Sequence, residues 1–124
     1  MAQRHRLYGD IVPNSRLVEP ADAPRSYAYC SDTCYLPDLY ERVKDVTVLY
    51  HESTYTSENE DRAKIYYHST ARQAALVAQK AGAGRLLLGH YSARYNNENV
   101  LLEEAKAVFP ESYLSQEGMV FEVK

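Results

Sequence analysis

A chain of 124 residues is long enough to bury one core, and its length gives no reason to expect two domains. Its composition, 45% hydrophobic and 25% charged, excludes disordered and fibrous classes. A formal charge of −3 lacks the surplus of Lys and Arg with which an autonomous nucleic-acid-binding module grips phosphates, although a nuclease whose grip lies on another segment or subunit stays open.

The two cysteines, Cys30 and Cys34, have C-x-x-x-C spacing. That spacing is neither the C-x-x-C redox form nor half of a zinc quartet, and it fits a reduced, cytoplasmic setting. No apolar run approaches the twenty or so residues of a membrane span, and the opening MAQRHRLYGD lacks the apolar stretch of a signal peptide, so no membrane association is expected.

Residues 1–25 hold three of the five prolines, Pro13, Pro20 and Pro24, and little periodicity. They read as an extended arm or connecting segment with a short strand near residues 10–12. Residues 26–30 read as a strand, and Pro37 opens a helix through Val43. The β-branched and aromatic run 46–50 reads as a buried strand, with His51 and Glu52 following at its C-terminal end. A polar loop over 56–60 leads to a helical segment over 61–67.

At Thr70 a second helix begins, because Thr70 and Gln73 form a T-x-x-Q capping box and Ala71, Ala74, Ala75, Ala78 and Ala81 recur on one narrow face. Gly82 and Gly84 stop it. Residues 86–88 read as the next strand, running into Gly89 and His90. A helix from Asn96 turns Leu101, Leu102, Ala105, Val108 and Phe109 inward and ends at Pro110. Residues 119–123 read as a terminal strand after a turn at Gly118. The predicted order from residue 26 is βαβααβαβ, a layered α/β arrangement.

Strand ends in such sheets converge on a ligand crevice. Asp32, Glu52 and His90 all fall at strand ends, and each also has a plain structural reading: an Asx turn for Asp32, a core-edge histidine bonded to a carbonyl for His90. His68 stands at a helix entrance, and Glu52 needs a partner once buried; a carboxylate that orients an imidazole is a sensible pairing.

Four segments carry more together than apart: Tyr29-Cys30-Ser31-Asp32-Thr33, His51-Glu52-Ser53-Thr54-Tyr55, His68-Ser69-Thr70, and Leu88-Gly89-His90-Tyr91-Ser92-Ala93-Arg94-Tyr95. The set resembles, in the same order, the G-D-T, H-E-A-T-F, H-S-T and L-T-H-x-S-x-R-Y segments of the ribonuclease Z family. The resemblance implies an α/β fold, with residues 26–124 as the C-terminal half of a metallo-β-lactamase-like αββα sandwich.

It further implies that Asp32 bridges two zinc ions and His90 binds one of them. His68 then helps protonate the leaving 3′ oxygen or stabilises phosphate charge, and Glu52 supports it. Arg94 contacts a phosphate or makes a structural ion pair. The implied substrate is precursor tRNA, cut after its acceptor end to remove the 3′ trailer.

Ser31 replaces the family's usual glycine and Gly89 its usual threonine. The H-x-H-x-D-H segment, which supplies most metal ligands and the general base, is absent from this sequence, and the two histidines outside the site set, His5 and His51, have no spacing that replaces it. The chain alone is therefore expected to bind zinc weakly and to be nearly inactive without a missing N-terminal half or a second subunit. It is also expected to self-associate as a homo-oligomer through an exposed sheet face. Two other readings stay open: a metallo-hydrolase acting on another phosphodiester or ester, and a non-catalytic interaction or structural module of the same fold.

Overall fold

The computed structural model describes residues 9–13, 25–31, 33–116 and 118–123. Five strands form one sheet in the order β1 (Gly9–Pro13), β2 (Ser26–Cys30), β3 (Val48–Glu52), β4 (Arg85–Gly89) and β5 (Ser112–Leu114). β1 runs antiparallel to β2, and the other neighbours are parallel. Each parallel pair needs a crossover. These are α1 (Leu39–Arg42) between β2 and β3, α2 (Glu60–Ile65) and α3 (Ala71–Ala81) between β3 and β4, and α4 (Asn99–Lys106) between β4 and β5.

The core lies between the sheet and α1, α3 and α4. Ala28 and Cys30 of β2, Leu49 of β3, and Leu86 and Leu88 of β4 face the alanine stripe of α3 and Leu101 and Ala105 of α4. Alanine at every inward position but Val77 lets α3 lie close to the sheet. Each fully buried leucine contributes about 1.5–3 kcal/mol through area removed from water. Both arms of the capping box form: Thr70 Oγ1 accepts from Gln73 N at 3.0 Å, and Gln73 Oε1 accepts from Thr70 N at 2.9 Å. Gly82 ends the helix in the left-handed conformation at φ 70°.

Alternation sends Tyr27, Tyr29, Tyr50, Leu87 and Tyr113 to the opposite face, where Tyr29 and Tyr50 stack at 4.5 Å between ring centroids. Tyr29 is 40% and Tyr113 36% exposed, so this face is only partly covered.

Several expected boundaries shift. β3 starts and ends two residues later than the run 46–50 suggested, so His51 and Glu52 belong to the strand, and α1 is a four-residue turn of helix rather than one reaching from Pro37 to Val43. α4 begins at Asn99 instead of Asn96. The last strand is Ser112–Leu114, not residues 119–123. The tail instead crosses the tyrosine face, with Phe121 5.7 Å from Tyr113 and under the Arg85 guanidinium at 5.2 Å, contacts a strand pairing would forfeit. Of the expected N-terminal arm, 9–13 form β1, and most of the remainder lies outside the described residues. No helix among the described residues is long and apolar enough to cross a membrane.

Candidate active site

The parallel strands end on one side of the sheet, where Cys30 pairs with His51 and Glu52 with Gly89. Glu52 is completely buried there. A bare buried carboxylate would cost several kcal/mol, so its partners decide whether it is tolerated. Oε1 accepts from Thr33 N at 2.6 Å; Oε2 accepts from Ser69 N at 3.0 Å and from Thr54 Oγ1 at 2.6 Å. His68 Nδ1 lies 3.1 Å from both oxygens. Because an ionised carboxylate only accepts, Nδ1 of His68 carries the proton and donates it. The pairing of Glu52 with His68 expected from topology is thus present.

His90 follows β4 directly. Its ring centroid is 5.1 Å from that of His68, and its Nδ1 is 3.0 Å from Thr54 Oγ1. His90 has φ 60° and Tyr67, the residue before His68, φ 59°. Two of three left-handed non-glycine residues among those described therefore flank the site, a strain of about 1–3 kcal/mol each that packed functional loops sustain. Asp32 lies outside the described residues.

Arg94 is exposed; it donates Nη1 to Asn59 Oδ1 at 3.1 Å and lies 5.8 Å from the Tyr55 ring centroid, whose edge meets His68. Beside His68, a cavity of about 370 Å³ is lined by Cys34, Tyr35, Glu60, Asp61, Lys64 and Gln73.

Glu52, His68 and His90 bring one oxygen and two nitrogens within 4.8 Å of one another, a partial metal-binding group. Their chemistry suits a divalent cation, but Glu52 is already occupied by four donor groups. A ring nitrogen from each histidine supplies at most two donors, where tetrahedral zinc takes four. The described residues therefore fit one edge of a metal centre and do not complete it.

Other ionisable groups are held neutral by burial. His51, wholly buried, has Nδ1 2.8 Å from the Glu52 carbonyl, and its Nε2 is buried without a partner among the described residues. Desolvation lowers its pKa. Burial pushes the Cys30 thiol up to about 12, which leaves it unreactive, and it pushes the Tyr50 phenol up to about 12 as well.

Sequence reading missed Thr33, Thr54 and Ser69 as the groups that satisfy the carboxylate. The available signal was the hydroxyl residue two positions after a strand-end glutamate and the hydroxyl residue beside His68.

No family model matches the chain. Ribonuclease Z of Bacteroides fragilis (strain YCH46) is 48% identical over 111 residues, covering 90% of this chain and 36% of that protein. The enzyme of the same name from Parabacteroides distasonis is 50% identical over 111 residues, with the same two coverages. Among solved structures, the metallo-β-lactamase fold protein YhfI of Bacillus subtilis superimposes with a TM-score of 0.75 at 22% identity, over 97% of this chain and 52% of that one. The short form of human tRNase Z does so with a TM-score of 0.69 at 26% identity, over 99% and 42%. The chain spans about a third of the length of these curated relatives. In sequence and in fold it corresponds to the C-terminal part of the ribonuclease Z family, which has the metallo-β-lactamase fold.

Proposed function

We propose that this chain supplies the proton-handling group and one edge of the metal centre of a zinc-dependent endoribonuclease that removes 3′ trailers from precursor tRNA. One observation carries the reading: a fully buried carboxylate, Glu52, is spent on fixing the His68 ring rather than on holding a metal. A purely structural carboxylate has no need to end on an imidazole that lines a cavity.

In this reading water attacks the scissile phosphorus, and the bond to the 3′ oxygen breaks. Glu52 holds the Nδ1 proton of His68 and sets the ring plane, so that the doubly protonated ring gives up its Nε2 proton to the departing 3′ oxygen, while the attacking water releases one proton to a base supplied from outside this chain. The tRNA keeps a 3′ hydroxyl and the trailer keeps the 5′ phosphate. His90, and Asp32 by resemblance, would hold zinc together with donors from outside this chain, either the two-thirds of its relatives' length that it does not span or a second subunit; the chemistry that ion supplies when bound is Lewis-acid stabilisation of the phosphate. Arg94 is near enough to His68, through Tyr55, to meet a flanking phosphate. A cytoplasmic setting fits the two free cysteines.

The test is trailer cleavage by the full-length protein. His68→Asn should lower kcat by about 10²–10⁴, the range of a lost general acid, with little change in KM. An undiminished kcat in that variant would remove His68 from the chemistry.

A further inference from the structure

We infer that Thr54 is a positioning residue that selects the Nδ1-protonated tautomer of His90, and that it does so because its own proton is committed to Glu52. A threonine hydroxyl has one proton to give. It lies 2.6 Å from Glu52 Oε2, an atom that can only accept, so the proton points there. The contact between Thr54 Oγ1 and His90 Nδ1 at 3.0 Å is then a hydrogen bond only if Nδ1 donates. With the proton on Nδ1, the lone pair of His90 sits on Nε2.

Glu52 therefore sets both imidazoles: His68 directly, and His90 through one hydroxyl. Thr54 is buried, so its hydroxyl and its bond to Glu52 are shielded from water, while the His90 ring itself is exposed. Its place is fixed from both sides, since its N–H donates to Ser69 O at 3.0 Å and its carbonyl accepts from Ser92 N at 3.0 Å. An Nδ1–H···O contact that leaves Nε2 as the lone-pair nitrogen is the arrangement by which proteins orient a histidine toward a metal. The tautomer follows from hydrogen-bond bookkeeping alone; only its use for zinc rests on the function proposed above.

Long-range proton–nitrogen spectra of the isotope-labelled chain, taken above the titration range of free imidazole, read the tautomer of each histidine directly. His90 should carry its proton on Nδ1. Thr54→Val, which keeps the shape and removes the hydroxyl, should move most of that population to Nε2–H. Thr54→Ser should restore Nδ1–H, and His68 should stay unchanged in both. An Nε2–H His90 in the unsubstituted chain overturns the inference without recourse to any variant, and so does a tautomer indifferent to Thr54→Val in a folded chain.

Zinc chloride titration followed on the same resonances separates the two ideas. Zinc should shift His90, with affinity about 10–100-fold weaker in Thr54→Val, the usual cost of losing such an orienting partner. If the tautomers behave as stated and zinc leaves His90 unmoved even when the donors this chain lacks are supplied by the rest of the fold, Thr54 keeps its positioning role and the metal reading fails.

Discussion

Replacing Glu52 by glutamine keeps the volume and removes the charge, which isolates the hydrogen-bond argument. The amide nitrogen must take the place of one oxygen. In the Oε2 position it would face Ser69 N and Thr54 Oγ1, in the Oε1 position Thr33 N, and in either the His68 Nδ1 at 3.1 Å, which can still donate to the remaining oxygen. The second arrangement is the less costly, yet it still buries the Thr33 N–H and one amide N–H without acceptors. Each unsatisfied buried donor costs about 1–3 kcal/mol, so Glu52→Gln should destabilise the chain on the order of 2–6 kcal/mol. That is a large fraction of the roughly 5–15 kcal/mol that holds a typical domain together. Urea unfolding at neutral pH measures it as a lowered midpoint with unchanged slope. Glu103→Gln on the exposed side of α4 is the control and should stay within about 0.5 kcal/mol. If Glu52→Gln were as mild as that control, the carboxylate would not be the organising group, and the tautomers deduced for His68 and His90 would lose their basis.

Two further outcomes follow from packing and burial. A Cβ at Gly89 would land on the Tyr50 hydroxyl and within 2.6 Å of its ring Cε2, so Gly89→Ala should cost about 1–3 kcal/mol, with much of the loss recovered in Gly89→Ala/Tyr50→Val; additive effects of the two substitutions would disprove the collision. Burial depresses the His51 pKa, so the unfolded chain binds more protons as pH falls below about 6.5, and stability should drop by up to about 1.4 kcal/mol per pH unit from there down to the folded-state value. On the alkaline side Cys30, Tyr27 and Tyr50, each raised to about 12, contribute stability that is lost as pH climbs past their unfolded values near 9 to 10. A stability profile flat from pH 5 to 11 would contradict both signs, and His51→Phe should flatten the acid limb alone.

The parts of the molecule legible in the sequence are those whose cause is local. The alanine stripe and the Thr70–Gln73 box specify α3 within a dozen residues, and the apolar runs 46–50 and 86–88 mark the two buried strands, which form over 48–52 and 85–89. β5 escaped notice because Ser112, Tyr113 and Leu114 hold too few apolar positions to signal a strand; the edge of β4 recruits them. Residues 119–123 carry the stronger strand pattern, yet Phe121 gains a tyrosine ring and a guanidinium by crossing the face. The pairing of Glu52 with His68 was readable, since a buried acid at a strand end requires a donor. The link through Thr54 was not, because it depends on the hydroxyl lying between two groups 38 residues apart in the chain. The glycine at 89, where the resembled family commonly has threonine, finds its reason in a side chain on the neighbouring strand, Tyr50.

What these contacts have in common is that the loops bearing the candidate residues are tied to one another rather than to the sheet alone. Ser69 Oγ donates to Thr33 O at 2.6 Å, Ser53 Oγ to Gly89 O at 3.1 Å, and Ser92 N to Thr54 O at 3.0 Å. Together with the four donors on Glu52, these bonds join the ends of β2, β3 and β4 and the entrance of α3 into a single buried polar network. Such a network holds geometry well only when every member is satisfied, and it fails as a unit when one is not. Orientation of His68 and His90 is therefore built by residues of this chain, whereas metal affinity depends on donors that the described residues lack. The two properties should separate experimentally: a chain with correctly oriented imidazoles and weak zinc binding is the state this arrangement favours, and added donors would raise affinity without any need to reorganise the rings.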